Sequence, residues 1–62
     1  MTDLDEKAEY IAMRFHQNYE RLAPNFGYET RKETAVPWRD VLPSNKNLMI
    51  ATAKALLQEG TI

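Results

Sequence analysis

Three rings and three cations stand close together in the middle of this chain. Tyr19, Tyr28 and Trp38 offer flat faces on which a planar molecule can stack. Arg31, Lys32 and Arg39 lie near them in sequence and carry the charge to bind a phosphate or a carboxylate. His16, three residues before Tyr19, shares its side of a helix and would help line the floor of such a site. Asn18, Asn25 and Asn45 add paired donors and acceptors. Each of these residues also has a plainer use. Tyr19 and Trp38 suit a core, His16 suits a half-buried ring bonded to a backbone carbonyl, and Arg31 and Lys32 suit a solvated loop. The plainer uses leave one thing unexplained. A single connection holds both Phe26-Gly27-Tyr28 and Pro37-Trp38.

Catalysis is harder to build from this sequence. There is no Cys to act as nucleophile, and a lone His16 makes no histidine cluster for a metal. Ser44 is placed to cap a helix, and the two glycines are too far apart for a phosphate-cradling loop. Asp3, Asp5, Glu6 and Glu9 read as a solvated helix face, and nothing in the spacing of Glu29 and Asp40 points to acid–base work. The expectation is a non-enzymatic chain that needs no cofactor.

The elements that would position the rings are legible. Thr2 and Asp3 offer N-cap oxygens, and Glu6 completes the pattern of a capping box. Leu4, Ala8, Ile11, Ala12, Phe15, Tyr19 and Leu22 then recur in a stripe roughly 100° wide, predicting a helix over about residues 4 to 23 that ends at Pro24. Tyr10, Met13 and Gln17 lie on its back, either as scattered exposed residues or as a self-association surface. Gly27 is expected to take a positive φ, letting Phe26 and Tyr28 project in different directions. Residues 29 to 36 read as a loop.

Pro37 opens a single helical turn, Trp38 to Leu42, with Trp38, Val41 and Leu42 inward. Ser44 is expected to cap a last helix over about residues 45 to 59, with Leu48, Met49, Thr52, Ala53, Leu56 and Leu57 buried and Gly60 as its stop. Ala51, Ala53 and Ala55 would keep that helix slim. The fold predicted is all-α: two antiparallel amphipathic helices and a long aromatic linker containing one short helical turn. Trp38, Phe15 and Tyr19 are the side chains expected to close its core.

Sixty-two residues make one domain, and one this small buries only about 60% of its unfolded surface. With no disulfide to staple it, tight packing, a ligand or self-association must supply the rest. Eight Lys plus Arg stand against nine Asp plus Glu, a balance that does not favour nucleic-acid binding. No apolar run approaches the ~20 residues of a membrane span, and the acidic N-terminus is unlike a signal peptide. The expected setting is cytoplasmic, with no membrane partner. A helix-turn-helix is disfavoured, because the connection is long and neither helix has a basic face.

The order of motifs resembles the repeat domain of ryanodine receptors, the RyR domain. Ile11-Ala12, Phe15-His16 and Tyr19 are similar to the run that opens that domain. Gly27-Tyr28, Pro37-Trp38, Leu42-Pro43, Leu56-Leu57 and Gly60 follow in the family's order, so the resemblance covers about residues 8 to 60. The chain departs from the family at Gln17, at Glu29-Thr30 and at Thr34-Ala35-Val36-Pro37. It looks like a short, divergent, stand-alone member of the bacterial or phage type. The resemblance implies a domain that senses a nucleotide-derived signal in a conflict system. Without an attached effector it would sequester the signal, as a phage anti-defence protein would. His16, Tyr19, Tyr28, Arg31, Lys32, Trp38 and Arg39 would then hold a nucleotide-like molecule. A pocket large enough in so small a chain implies a homo-oligomer with sites at the interface. The alternative is a protein-interaction module that inhibits a host protein through its aromatic surface.

Overall fold

The computed structural model describes residues 3–32 and 35–62. Thr2, expected to share the first N-cap, and Thr34, in the linker, lie outside the described residues. The fold is all-α, with no strand among the described residues. Helix α1 runs Asp3–Leu22 and helix α2 runs Pro43–Glu59, with short 3-10 turns at Ala23–Phe26 and Trp38–Asp40 between them. The helices are antiparallel. The Lys54 ammonium donates to the Asp5 carboxylate at 2.7 Å near one end, and Tyr19 and Asn45 face a common cleft near the other. Among the described residues no helix is long and apolar enough to cross a membrane.

The seam between the helices is made of small residues. Ala8, Ala12 and Ala53 are its buried centre, and Ile11, Met49, Ile50, Leu57 and Trp38 pack around it. Two corrections to the expected core follow. Phe15 and Tyr19 do not close it; both are exposed, and they stack on each other with ring centres 5.8 Å apart. The buried line of α1 is Ala8, Ala12 and His16, along one edge of the expected stripe. The reason is steric: methyl side chains let the two backbones approach closely, and a ring at the seam would hold them apart.

The same correction applies to α2. Ala53 is the one residue of that helix fully inside, Ile50 joins the core, and Leu48, Thr52, Ala51 and Ala55 face solvent. The Thr52 hydroxyl donates to the Leu48 carbonyl at 2.8 Å, which satisfies it within its own helix.

The helix ends show how the chain turns. α1 stops at Leu22, because Pro24 disfavours continuing α geometry through Ala23. α2 starts two residues earlier than expected, and Ser44 is not its cap. Leu42 occupies the N-cap position without a side-chain bond, and Pro43 takes the first turn, where its missing N–H costs nothing. The Lys46 N–H then donates to the Leu42 carbonyl at 2.9 Å. At the far end Gly60, at φ +81°, lets the Thr61 N–H reach the Leu56 carbonyl at 3.0 Å. The Trp38–Asp40 turn forms as expected, but only Val41 beside it is buried; Trp38 is half-buried and Leu42 is exposed.

A seam this tight has no room to grow. Ala8→Leu, at a position that is 0% exposed and lines neither cleft nor groove, is expected to lower stability by about 1–3 kcal/mol through overpacking. In a domain of this size that lowers the melting midpoint by at least roughly 4 °C, checked by thermal circular dichroism.

Candidate functional site

The site is built where the linker folds back along α1. The chain leaves the Ala23–Phe26 turn through Gly27 at φ +79°. That left-handed residue lets the Gly27 N–H donate to the Pro24 carbonyl at 3.1 Å and the Tyr28 N–H to the Ala23 carbonyl at 3.0 Å. The same device ends α2 at Gly60. At Gly27 it delivers Tyr28 back toward the C-terminal half of α1. Two further bonds hold the linker there. The Thr30 hydroxyl donates to a Glu20 carboxylate oxygen at 2.6 Å. His16, only 3% exposed, donates its Nε2–H to the Val36 carbonyl at 2.7 Å.

Between α1, residues 28–31 and the first turns of α2 lies an open cleft of about 340 Å³. Phe15, Tyr19 and Tyr28 supply its rings, and Asn45 and Met49 reach it from α2. His16, Glu20, Glu29, Thr30 and Arg31 supply its polar lining. A second open cleft, of about 450 Å³, shares Phe15, Tyr19 and Tyr28 with the first and adds Leu22 and Phe26. Phe26 and Tyr28 therefore meet at one cleft instead of diverging.

Of the seven residues expected to form a site, the structure brings four together: His16, Tyr19, Tyr28 and Arg31. Lys32, Trp38 and Arg39 do not line the cleft. Lys32 is exposed on the linker. Arg39 is exposed beside Asp40, with its Nε 3.9 Å from a carboxylate oxygen. Trp38 is occupied from within the protein. Its ring lies 5.8 Å from that of His16, and the Lys46 ammonium sits 5.5 Å from its centre, within cation–π range. The linker puts Trp38 against the alanine seam, so it serves the core and not the cleft.

His16 has the plainer of its two expected roles, since its Nε2 is committed to a backbone carbonyl. Asn18 is likewise spent within α1, donating to the Arg14 carbonyl at 2.9 Å and accepting from Arg21 at 2.9 Å. The sequence reading missed Glu20, Thr30 and Met49, and gave Phe15 to the core. The Phe15–Tyr19 spacing of four was a readable signal for a stacked pair on one helix face. The Glu20–Thr30 bond had no signal, because it depends on how the linker folds back.

The charges limit the chemistry. One guanidinium, Arg31, faces a cleft that also holds the carboxylates of Glu20 and Glu29. Such a lining suits a flat ligand with hydrogen-bond donors and a single acidic group better than a string of phosphates. Among the described residues no group of three or more His, Asp or Glu could hold a metal ion. Comparison of the chain with protein-family models, with curated proteins and with solved structures finds no match.

His16→Leu would remove the tie to Val36 and loosen Trp38. It is expected to cost about 1–3 kcal/mol, the usual range for leaving a carbonyl partly buried and unpaired. The emission of the single Trp should move to longer wavelength, read by steady-state fluorescence before unfolding begins.

Proposed function

We propose that this chain is a non-enzymatic recognition module for a small planar ligand of nucleoside or nucleotide type. The observation that carries the reading is the convergence of His16 and Tyr19 of α1 with Tyr28 and Arg31 of the linker on one cleft with a stacked Phe15–Tyr19 pair in its wall. The rings supply stacking, Glu20 and Glu29 accept from ring amines or sugar hydroxyls, and Arg31 takes one acidic group. The resemblance to the RyR domain leads to the same class of ligand, a nucleotide-derived signal that the chain would sequester in a phage or bacterial setting. The charge pattern favours a ligand with few phosphates.

The second reading, a protein-interaction module, is favoured by one specific observation. Phe15, Phe26 and Leu48 are exposed large apolar side chains, of the kind that anchor protein partners.

A thermal melt against nucleosides, nucleotides, cyclic dinucleotides and ADP-ribose-type compounds separates the two. A ligand at 100 times its Kd should stabilise the fold by about 2.7 kcal/mol, a shift of roughly ten degrees. Tyr28→Ala, at an exposed ring, is expected to abolish the shift while the unliganded protein still melts cooperatively. Lys32→Glu and Arg39→Glu should leave it intact. No shift with any compound would reject the ligand reading in favour of a protein partner.

A further inference from the structure

Exposed apolar side chains are normally scattered over a monomer. Here six of the nine large exposed ones among the described residues, Phe15, Tyr19, Leu22, Phe26, Tyr28 and Leu48, line clefts that meet at Phe15. That ring lines both clefts and also an apolar groove of about 230 Å³ between the helices, beside Ile11, Leu48 and Leu56. The face is therefore continuous from Leu48 on α2, across Phe15 and Tyr19, to Phe26 and Tyr28. The four rings Phe15, Tyr19, Phe26 and Tyr28 are 65, 50, 74 and 68% exposed. At about 200 Å² for a whole ring side chain, they present roughly 500 Å². Leu48, 65% exposed, and Leu22, 39% exposed, enlarge the face further. The largest apolar patch on a typical monomer covers about 300–600 Å².

We propose that two copies of this chain pair through this face as a two-fold dimer. Area is the first reason. A stable interface takes about 800 Å² from each partner, and this face with a rim of neighbours is close to that size. Shape is the second. A groove lies beside protruding Phe15 and Leu48, so a two-fold axis can set each copy's ring and leucine against the other's groove. Charge is the third. Ile11, Ala12, Phe15, Leu48, Met49 and Leu56 line the groove without one ionisable group, as the centre of an interface requires, and a net charge of −1 repels a second copy only weakly.

Stability selects a second copy over another protein. Among the described residues the buried apolar ones are Ala8, Ala12, Ala23, Val41 and Ala53, and no large side chain is fully inside. With no cysteine to form a disulfide, so thin a core gains most from a partner that is always present. The back of α1, which the sequence left open between scattered exposed residues and a self-association surface, does not compete. Tyr10 is exposed there, but Met13 is half-buried and Gln17 accepts a hydrogen bond from Arg14 at 2.9 Å.

The dimer needs no ligand, so its test uses the chain alone. Sedimentation equilibrium of the wild-type protein is expected to give the mass of two chains at high concentration, falling toward 7.2 kDa on dilution. Its melting midpoint should rise with concentration over a hundredfold range. Leu48→Glu lies on α2 outside both ring-lined clefts and should weaken pairing by at least roughly tenfold with helicity retained. Tyr10→Glu should leave pairing unchanged. A 7.2 kDa species with a flat midpoint at every concentration overturns the proposal. So does pairing that survives Leu48→Glu and is lost in Tyr10→Glu. Should Leu48→Glu not fold, the wild-type concentration series still decides. A flat ligand panel leaves the dimer standing, and a monomer that shifts with a ligand removes the dimer alone.

Discussion

Everything in this structure follows from how closely two helices approach along three alanines. Ala8 and Ala12 of α1 meet Ala53 of α2 with almost nothing exposed at the contact. Close approach makes the seam dense, but it also makes it narrow. Methyl groups bury little area each, so the apolar stabilisation available from the seam itself is small. The larger side chains on either side, Ile11, Met49, Ile50 and Leu57, pack around it without being fully enclosed. Phe15 and Leu48 stand outside it altogether.

The linker answers part of this shortage. In a molecule with principal extents of 35 × 23 × 13 Å, the linker is fastened at chosen points. A left-handed glycine reverses it, a threonine hydroxyl ties it to Glu20, and the His16 ring holds it at Val36. Trp38 then covers one end of the seam, with His16 and Lys46 against its ring. A tryptophan in the linker is explained by that cover. Tyr28 has no such explanation within a single chain, since it is exposed and faces the clefts. Rings that the core cannot use are the rings available for recognition.

The charges separate in the same way. Of the three cations near the rings in sequence, only Arg31 comes to the cleft, and it comes with Glu20 and Glu29. Proximity in sequence overstated the positive character of the site, because Arg31 lines the cleft whereas Lys32 and Arg39 are exposed outside it. A cleft of mixed sign selects by pattern of donors and acceptors more than by net charge. For the proposed ligand, that constraint favours a molecule with few phosphates.

The sequence by itself determined the two helices, their ends at Pro24 and Gly60, the short turn at Trp38 and the left-handed Gly27. Each of these depends on neighbours within one or two turns, where spacing and backbone preference decide. It also marked Tyr28 and Arg31 as residues worth following. It did not determine which side of the apolar stripe would be buried. Ala8 and Phe15 both belong to that stripe, and only the packing of α2 chose the methyl over the ring. α2 starts at Pro43 and not after a Ser44 cap for a related reason: both are good starts, and the extended backbone of Leu42, at ψ 140°, leads directly into the proline. The Glu20–Thr30 and His16–Val36 bonds join residues ten and twenty apart, so no local pattern encodes them. Tertiary structure decided the cleft, its mixed charge and its exposed rings, because each depends on where a long linker is fastened to a helix pair too narrow to bury its own aromatic residues.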